Sequence, residues 1–333
     1  MDGGDLTDFL NWTALEPLFC TSQEPEGGDA DLTDTLGLQC GGAWLQKSGL
    51  SSLMGTSEYL GGPEPCGDEF VLRSPHGPSL PIYVSDACFS PRLARERGVS
   101  RKAVVLGLDE TGFAEAEGAA PNAGTRLRAI ADRVAVALDA VVVLPDFLRG
   151  DGWTEAKQGA ATFNDEDARR AWYARVGDPA GLAFDLDQVV LPFLRSDKGV
   201  RGPRSVSVVG FGFGGCVAFV AARFDWCACV AAAHATLGVF RFHGSSPVDA
   251  ARKVRCPAML LQSGGDPDET KRGGAVHRAL DEAPFAAACD VDDYPRMAHG
   301  FVLHGDPAAP DVARDAELAT ARLIAFVKTH LDP

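Results

Sequence analysis

The sequence predicts an α/β fold, with a doubly wound and mostly parallel sheet and helices on both of its faces. Short apolar segments typical of buried strands alternate with helical patterns from Glu69 onward, which indicates consecutive βαβ units. Apolar residues recur at helical spacing within 127–138, and a long helix predicted over 311–331 starts directly after Pro310. The predicted strands are 103–108, 140–144, 205–209, 227–232 and 258–262, preceded by an antiparallel hairpin over 70–72 and 81–84.

Composition indicates a large folded core and argues against several classes of partner. Of the 333 residues, 46% are hydrophobic, which is enough for a sizeable core. The formal net charge of −15 argues against binding to nucleic acid or to anionic membranes. No stretch reaches roughly 18 apolar residues, the length of a membrane span, and the acidic start lacks the basic region of a signal peptide. Nine cysteines without a C-x-x-C pair indicate reduced thiols and a cytoplasmic protein.

The first part of the chain, 1–65, differs from the remainder. It is rich in Gly, Asp, Glu, Thr and Ser and has few apolar residues. Such a segment buries too little apolar surface to offset the entropy of ordering its backbone, about 1–2 kcal/mol per residue. We therefore expect a mobile acidic extension over 1–65 and one α/β domain over 66–333, which should stay folded when the extension is deleted.

The most informative motif is a glycine-rich turn with the sequence VSVVGFGFGG at 206–215. In a nucleophile elbow, a strand turns sharply into a helix and the central residue adopts a strained conformation. Gly210 and Gly214 stand at the flanking positions, where small residues let the strand and the helix approach each other. Gly212 stands at the central position and has no side-chain atom that could attack a carbonyl carbon.

Two other interpretations of this turn stay open. Gly210, Gly212 and Gly215 have the G-x-G-x-x-G spacing of a dinucleotide-binding fingerprint. However, the unit lies late in the chain, and the region 226–233 ends without the acidic residue that such a site requires. A close-packed turn between strand and helix, without any ligand, is the second possibility. The loops that follow favour the elbow.

Two later loops supply an acid and a histidine. The acidic loop reads GGDPD at 264–268, and the histidine loop reads YPRMAHGF at 294–301. The order of nucleophile position, acid and histidine is that of α/β-hydrolases. His299 is therefore the candidate base. The acid that orients it is Asp266 or Asp268, and Asp266 is preferred.

With these motifs in this order, the chain resembles the dienelactone hydrolase family. The elbow of that family usually reads G-x-C-x-G-G, whereas this chain has GFGFGG at 210–215, so Gly212 replaces the nucleophilic cysteine. The histidine loop, the block VVLPDFLRGDGW at 142–153 and the segment VLGLDETG at 105–112 are similar as well. The resemblance extends over 66–333 and implies an α/β-hydrolase fold.

The resemblance also implies roles for residues around the elbow. The backbone N–H groups of Phe213 and Glu110 would form the oxyanion hole. Asp109 and Arg149 would lie near the pocket, where Arg149 either binds a substrate carboxylate or forms a structural ion pair. Cys216, one turn into the helix after the elbow, is a weak alternative as a relocated nucleophile.

The function implied by the resemblance is hydrolysis of carboxylic esters or lactones. We expect a small-molecule ester, lactone or carboxylate as the partner, no cofactor, no metal, and a monomer or homodimer. Because Gly212 rules out a covalent cysteine mechanism, whether the chain is an enzyme stays open. Any activity would be weak or would follow another mechanism, for example attack by a water that His299 activates beside the glycine. The alternative is a non-catalytic protein that binds a small acid or a protein partner in the same pocket.

Overall fold

A computed structural model describes residues 67–74, 78–86, 101–113 and 123–331. The predicted extension over 1–65 lies outside these residues and stays a prediction. The described residues contain one eight-stranded sheet with the order β1-β2-β4-β3-β5-β6-β7-β8. Its strands are β1 (Asp68–Leu72), β2 (Leu80–Ser85), β3 (Ala103–Gly107), β4 (Val141–Pro145), β5 (Val206–Phe211), β6 (Cys227–Ala233), β7 (Ala258–Ser263) and β8 (Asp290–Tyr294).

The pairing of the strands confirms the predicted sheet. β1 pairs with β2 and β2 with β4 in antiparallel register, as expected of the lead-in hairpin, and all other pairs are parallel. Every residue of β3 to β7 is buried. These strands are covered on both faces, which explains why they read as continuous apolar runs instead of alternating patterns.

Helices cover both faces of the sheet. They are α1 (Ala123–Leu138), α2 (Glu155–Gln158), α3 (Ala160–Phe163), α4 (Glu166–Val176), α5 (Pro179–Phe184), α6 (Leu191–Ser196), α7 (Gly214–Ala221), α8 (Pro247–Arg252), α9 (Ala275–Asp281), α10 (Phe301–His304) and α11 (Pro310–Leu331). One apolar core contains residues of α1, α10 and α11, and the second contains residues of α5 to α9. The two cores lie on opposite faces of the sheet, as a doubly wound fold requires.

The carboxyl ends of five neighbouring strands carry the polar side chains of interest. Asp109 follows β3, Gly212 follows β5, His234 follows β6, Asp266 follows β7 and His299 follows β8. Because these strands are parallel, their carboxyl ends lie at the same edge of the sheet. That edge is where ligands bind in open α/β sheets.

The described part of the chain contains no helix that is both long and apolar enough to span a membrane. Five cysteines fall within it, and all five carry free thiols: Cys216, Cys227, Cys229, Cys256 and Cys289. Four of these are buried within the domain, where a free cysteine behaves as a small apolar residue.

Candidate active site

The glycines of the turn between β5 and α7 are required by close packing. A β-carbon on Gly210 would lie 2.0 Å from the carbonyl oxygen of Gly214, and one on Gly214 would lie 2.2 Å from the carbonyl oxygen of Gly107. Both contacts are with backbone and cannot be relieved by a side-chain movement. The glycine spacing therefore follows from the approach of β3, β5 and α7, which begins at Gly214.

Gly212 has the backbone conformation of an elbow residue, with φ at +50° in the left-handed region. A β-carbon on Gly212 would lie 2.4 Å from Oε2 of Glu110 and 3.2 Å from Cβ of Asp109. The carboxylate of Glu110 therefore occupies the space that a nucleophilic side chain at position 212 would need. The sequence led us to expect an open space beside Gly212, and the difference arises because Glu110 reaches into it from the neighbouring strand end.

Two hydroxyl groups fix the Glu110 side chain in this position. Tyr173, on α4, donates a hydrogen bond to Oε1 over 3.0 Å, and Thr236, after β6, donates to the same oxygen over 2.6 Å. Oε2, the oxygen next to Gly212, accepts no hydrogen bond from the described residues. One oxygen of the carboxylate is thus held by the protein, and the other faces the elbow with its lone pairs unused.

His299 and Asp266 form a hydrogen-bonded pair. Nδ1 of His299 lies 2.6 Å from Oδ1 of Asp266, and the buried Asp266 carboxylate also accepts the backbone N–H of Ser263 at 2.6 Å through Oδ2. Asp268 instead lies at the surface, where its side chain is 98% exposed and pairs with Lys271 over 2.9 Å. Of the two acids left open by the sequence, Asp266 is the one in contact with His299.

The pair shifts the pKa values of both of its members. Burial alone would lower the pKa of His299, but the hydrogen bond to Asp266 and the charge of Glu110 outweigh it, so the pKa is raised above the usual value. Burial alone would raise the pKa of Asp266, but the hydrogen bond and charge of His299 lower it. The imidazole is 43% exposed and is accessible to a ligand.

A second aspartate–histidine pair, which no sequence motif indicates, lies at the same edge. The buried carboxylate of Asp109 contacts Nε2 of His304, the last residue of α10. Asp109 also accepts hydrogen bonds from the backbone N–H and the hydroxyl of Thr111, at 3.2 and 2.8 Å. Although burial opposes it, the hydrogen bond to Asp109 and the charges of Asp109 and Glu110 raise the pKa of His304.

These five side chains form the carboxylate–histidine cluster: Asp109, Glu110, Asp266, His299 and His304. Glu110 is central in electrostatic terms, because its charge raises the pKa of both histidines. The cluster lies at the same edge of the sheet as the elbow at Gly212, where an attacked carbonyl group would be bound in a hydrolase of this architecture.

A third histidine, His234, lies beneath the cluster. It follows β6 with φ at +39°, is fully buried, and has a ring centroid 5.4 Å from that of His299 in an edge-to-face arrangement. Neither ring nitrogen has a hydrogen-bond partner among the described residues. Burial, reinforced by the charge of His299, lowers the pKa of His234 to about 3. His234 is therefore neutral, and its ring packs against that of His299.

The two backbone donors expected to form an oxyanion hole both lie at the elbow. Phe213 directly precedes α7, and Glu110 follows the buried end of β3. Within the described chain, neither N–H group donates to a protein acceptor, whereas the carbonyl groups of both residues accept hydrogen bonds, from Cys216 and Trp153 respectively. Both donors thus remain available, and the one on Phe213 lies at the N-terminus of α7, where the helix dipole favours negative charge.

Two other predicted residues contribute little to this cluster. Arg149 directs its guanidinium to the carboxylate of Asp185, with both oxygens at 2.8 Å, which is the ion-pair alternative of the sequence analysis. Cys216 is buried, and its thiol donates to the carbonyl oxygen of Thr236 over 3.2 Å. Burial, followed by the charge of Glu110, raises the pKa of Cys216 well above its usual value. A buried thiol that stays protonated is a poor nucleophile.

Solved structures with the same fold include three from different sources. A protein assigned as a dienelactone hydrolase from Klebsiella pneumoniae subsp. pneumoniae MGH 78578 covers 78% of this chain and 98% of its own, at 16% identity and a TM-score of 0.54. A zinc-bound cold-adapted esterase from an Arctic intertidal metagenomic library covers 80% of this chain and 93% of its own, at 17% identity and a TM-score of 0.51. Pyrococcus horikoshii acylaminoacyl peptidase covers 79% of this chain and 41% of its own, at 13% identity and a TM-score of 0.51. Similarity at these identities establishes the fold alone. No three Cys, His, Asp or Glu residues of the described chain are arranged to hold a metal ion.

Family membership rests on sequence similarity. No curated protein sequence matches this chain. Residues 113–331, well over half of the 333 residues, match the dienelactone hydrolase family. The matched region contains Gly212, Asp266 and His299, and it begins after Asp109 and Glu110. The chain therefore belongs to the dienelactone hydrolase family.

Proposed function

We propose that this protein hydrolyses small carboxylic esters or lactones by direct attack of water, without a covalent acyl-enzyme. The observation that carries the proposal is the hydrogen bond of 2.6 Å between His299 and the buried Asp266. This pair has the geometry of an acid–base histidine and the carboxylate that orients it, although position 212 has no nucleophile. An acid–base group that is held and electrostatically tuned in this way supports catalysis rather than a purely structural role.

The backbone at the elbow supports the same proposal. In acyl transfer, negative charge develops on the carbonyl oxygen, and preorganised N–H groups stabilise it. The N–H groups of Phe213 and Glu110 have no other acceptor in the described chain and need no side chain at position 212. Serine proteases that lack a triad member retain about 10³–10⁴-fold catalysis over water through such donors and substrate binding. We expect slow turnover for the same reason.

The test is turnover of p-nitrophenyl acetate and simple lactones by wild type and by His299→Ala. We expect the substitution to lower turnover by about 10²–10⁴-fold, the usual contribution of a general acid–base group. His277→Ala is the matched control because His277 also faces an aspartate, Asp281 at 3.7 Å, but lies on α9, outside the carboxylate–histidine cluster. Equal rates for wild type and His299→Ala would contradict the proposal, as would a wild type without any turnover.

A second function, binding without turnover, is favoured by the absence of a side chain at Gly212. The partner would be a small acid or a protein that occupies the same pocket. The charge of Glu110 disfavours an anionic ligand next to the elbow, so a small acid would have to contact His299 or His304 instead. Saturable binding of a small carboxylate, measured by calorimetry, together with no turnover of any ester or lactone, would identify this function.

A further inference from the structure

We propose that the Glu110 carboxylate is the general base of this site, taking the catalytic position that the missing nucleophile has vacated. The inference rests on the proposed hydrolysis and names the residue that activates the attacking water. Its main support is the position of Oε2, which lies 2.4 Å from where a β-carbon of residue 212 would be. A carboxylate oxygen therefore stands almost where the attacking atom of a covalent hydrolase would be bonded.

The hydrogen bonds of Glu110 preorganise it for this role. Tyr173 and Thr236 both donate to Oε1, at 3.0 and 2.6 Å, and leave Oε2 free of protein donors among the described residues. A side chain that only stabilised the fold would gain most by having both oxygens satisfied. A general base instead needs one oxygen that is held in place and one that can accept a proton from water.

A base role is chemically more favourable for Glu110 than a nucleophilic one. Attack of its carboxylate on an alkyl ester would give a tetrahedral intermediate on the way to an anhydride. From that intermediate the carboxylate departs more easily than the alkoxide, because it is the weaker base. The tetrahedral intermediate would then mostly return to the starting ester. Removal of a proton from water avoids this reversal, because the hydroxyl group added to the acyl carbon is not expelled in preference to the alkoxide.

The proposed reaction balances with residues of the cluster. Water adds to the acyl carbon and gives a proton to Glu110, while the carbonyl oxygen takes the negative charge and is stabilised by the N–H of Phe213. The bond from the acyl carbon to the alkoxy oxygen then breaks, and the departing oxygen takes a proton from the His299 imidazolium. Transfer of the proton from Glu110 to His299, directly or through water, restores the site. The net reaction converts the ester and water to the acid and the alcohol.

His299 is suited to the acid half of this cycle. The hydrogen bond to Asp266 and the charge of Glu110 raise its pKa despite burial, so its protonated form persists to higher pH. The carboxylate that accepts the first proton and the imidazolium that donates the second are thus neighbours with opposite charge. Such a division of roles between two groups in different environments is common in acid–base catalysis.

The test compares Glu110→Gln, Glu110→Ala and Glu269→Gln in the full-length protein, with turnover of aryl esters and lactones as the first measurement. Glutamine keeps the size of the side chain and an oxygen for Tyr173 and Thr236 but cannot take a proton. We expect at least a 100-fold loss in both Glu110 variants. Glu269 forms a surface ion pair with Arg241 and serves as the matched control, for which turnover should be unchanged.

Chemical rescue separates a base from a structural role. Added formate should restore part of the turnover of Glu110→Ala, because it fits the vacated space and can accept a proton. It should not restore Glu110→Gln, in which that space is filled. Turnover of Glu110→Gln equal to wild type, with His299→Ala still inactive, would overturn the base role and leave the proposed hydrolysis intact. Wild type without turnover would overturn both.

Isotope labelling separates a base from a nucleophile. After many turnovers in ¹⁸O-enriched water, we expect the label in the product acid and none in the side chain of Glu110, as measured by mass spectrometry of the peptide. Hydrolysis of an anhydride intermediate by attack of water at the Glu110 carbonyl carbon would place the label in the Glu110 carboxylate. Label in that peptide, absent from a sample incubated without substrate, would overturn the base role in favour of covalent catalysis.

Discussion

The carboxylate of Glu110 fills the space that a side chain on Gly212 would need: a β-carbon on Gly212 would lie 2.4 Å from Oε2 of Glu110. Any side chain at position 212 and the observed position of Glu110 therefore exclude each other. The glutamate is held by Tyr173 and Thr236 and does not simply fill space. The loss of the family's cysteine and the position of this carboxylate are consequently parts of the same arrangement.

Restoring a cysteine should succeed only when Glu110 is removed as well. In Gly212→Cys, the new side chain meets Glu110, and its thiolate is disfavoured by the neighbouring negative charge. In the double variant Gly212→Cys/Glu110→Ala, both obstacles disappear. We expect the double variant to react faster with iodoacetamide at position 212 and to hydrolyse p-nitrophenyl acetate faster than Gly212→Cys.

The labelling experiment has a clear control. A Cys216→Ser background removes the nearest buried thiol, and serine can donate the same hydrogen bond to the carbonyl oxygen of Thr236. A side chain at φ +50° also strains the backbone, so both cysteine variants should lose about 1–2 kcal/mol in free energy of unfolding. Equal labelling rates with and without Glu110 would contradict the expected exclusion.

The acid of the His299 pair can be tested against its neighbour in the same loop. Asp266→Asn replaces a charged acceptor by a neutral amide and should lower turnover about 10²–10⁴-fold. It also removes an interaction that raises the pKa of His299, so this pKa should fall, which NMR titration of the imidazole would reveal. Asp268→Asn is the matched control, because Asp268 is exposed and pairs with Lys271. A larger effect at Asp268 would reverse the assignment.

The sequence was sufficient to predict the architecture and the strand ends that carry the site. Continuous apolar runs identified the parallel strands, and loop order placed Gly212, Asp266 and His299 at one edge of the sheet. The glycine spacing was predictable too, because backbone contact between β3, β5 and α7 leaves no room for a β-carbon at Gly210 or Gly214.

The side-chain contacts of the cluster were not predictable in the same way. Glu110 is 102 positions before Gly212 in the chain, and only the adjacent positions of β3 and β5 bring its carboxylate to the elbow. No sequence motif singles out His304, although a buried aspartate such as Asp109 requires a partner. A signal was present in its spacing, since His304 follows His299 by five residues across a short helix.

The Asp109–His304 pair should make stability depend on pH in a defined window. The folded-state pKa of His304 is raised, so its contribution is complete below about pH 6.5 and is lost as pH rises through the folded value. The folded-state pKa of Asp109 is lowered, because its contacts with His304 outweigh burial. Its contribution is therefore complete above about pH 3.9 and is lost as pH falls through the folded value.

The variant His304→Asn tests this window. The difference in free energy of unfolding between wild type and His304→Asn should be largest at about pH 4–6.5 and should shrink at alkaline pH. Urea denaturation at several pH values provides the measurement. His277→Asn is the control, because its pair with Asp281 lies at the surface, where ion pairs contribute little. A difference that stays constant from pH 5 to pH 9 would show that the pair carries no stabilising charge.

His234 should make the protein sensitive to acid for the opposite reason. Burial, together with the charge of His299, lowers its folded-state pKa to about 3, whereas the unfolded chain has a value of about 6.5. Below the unfolded value, the unfolded state therefore binds one more proton than the folded state. Stability must then fall with decreasing pH, by about 1.4 kcal/mol per pH unit for this group alone, until the pH approaches the folded value.

The variant His234→Phe isolates this contribution. Phenylalanine preserves an aromatic ring against Phe211, Phe301 and His299, and it has the same backbone strain at φ +39° as the histidine that it replaces. Carboxylates that titrate in the same range affect both proteins alike and cancel in the difference. The stability of wild type relative to His234→Phe should therefore decline by about 1.4 kcal/mol per unit between about pH 6 and pH 4, as measured by urea denaturation. Parallel stability curves for the two proteins would mean that His234 takes up its proton in the folded state, contrary to its burial.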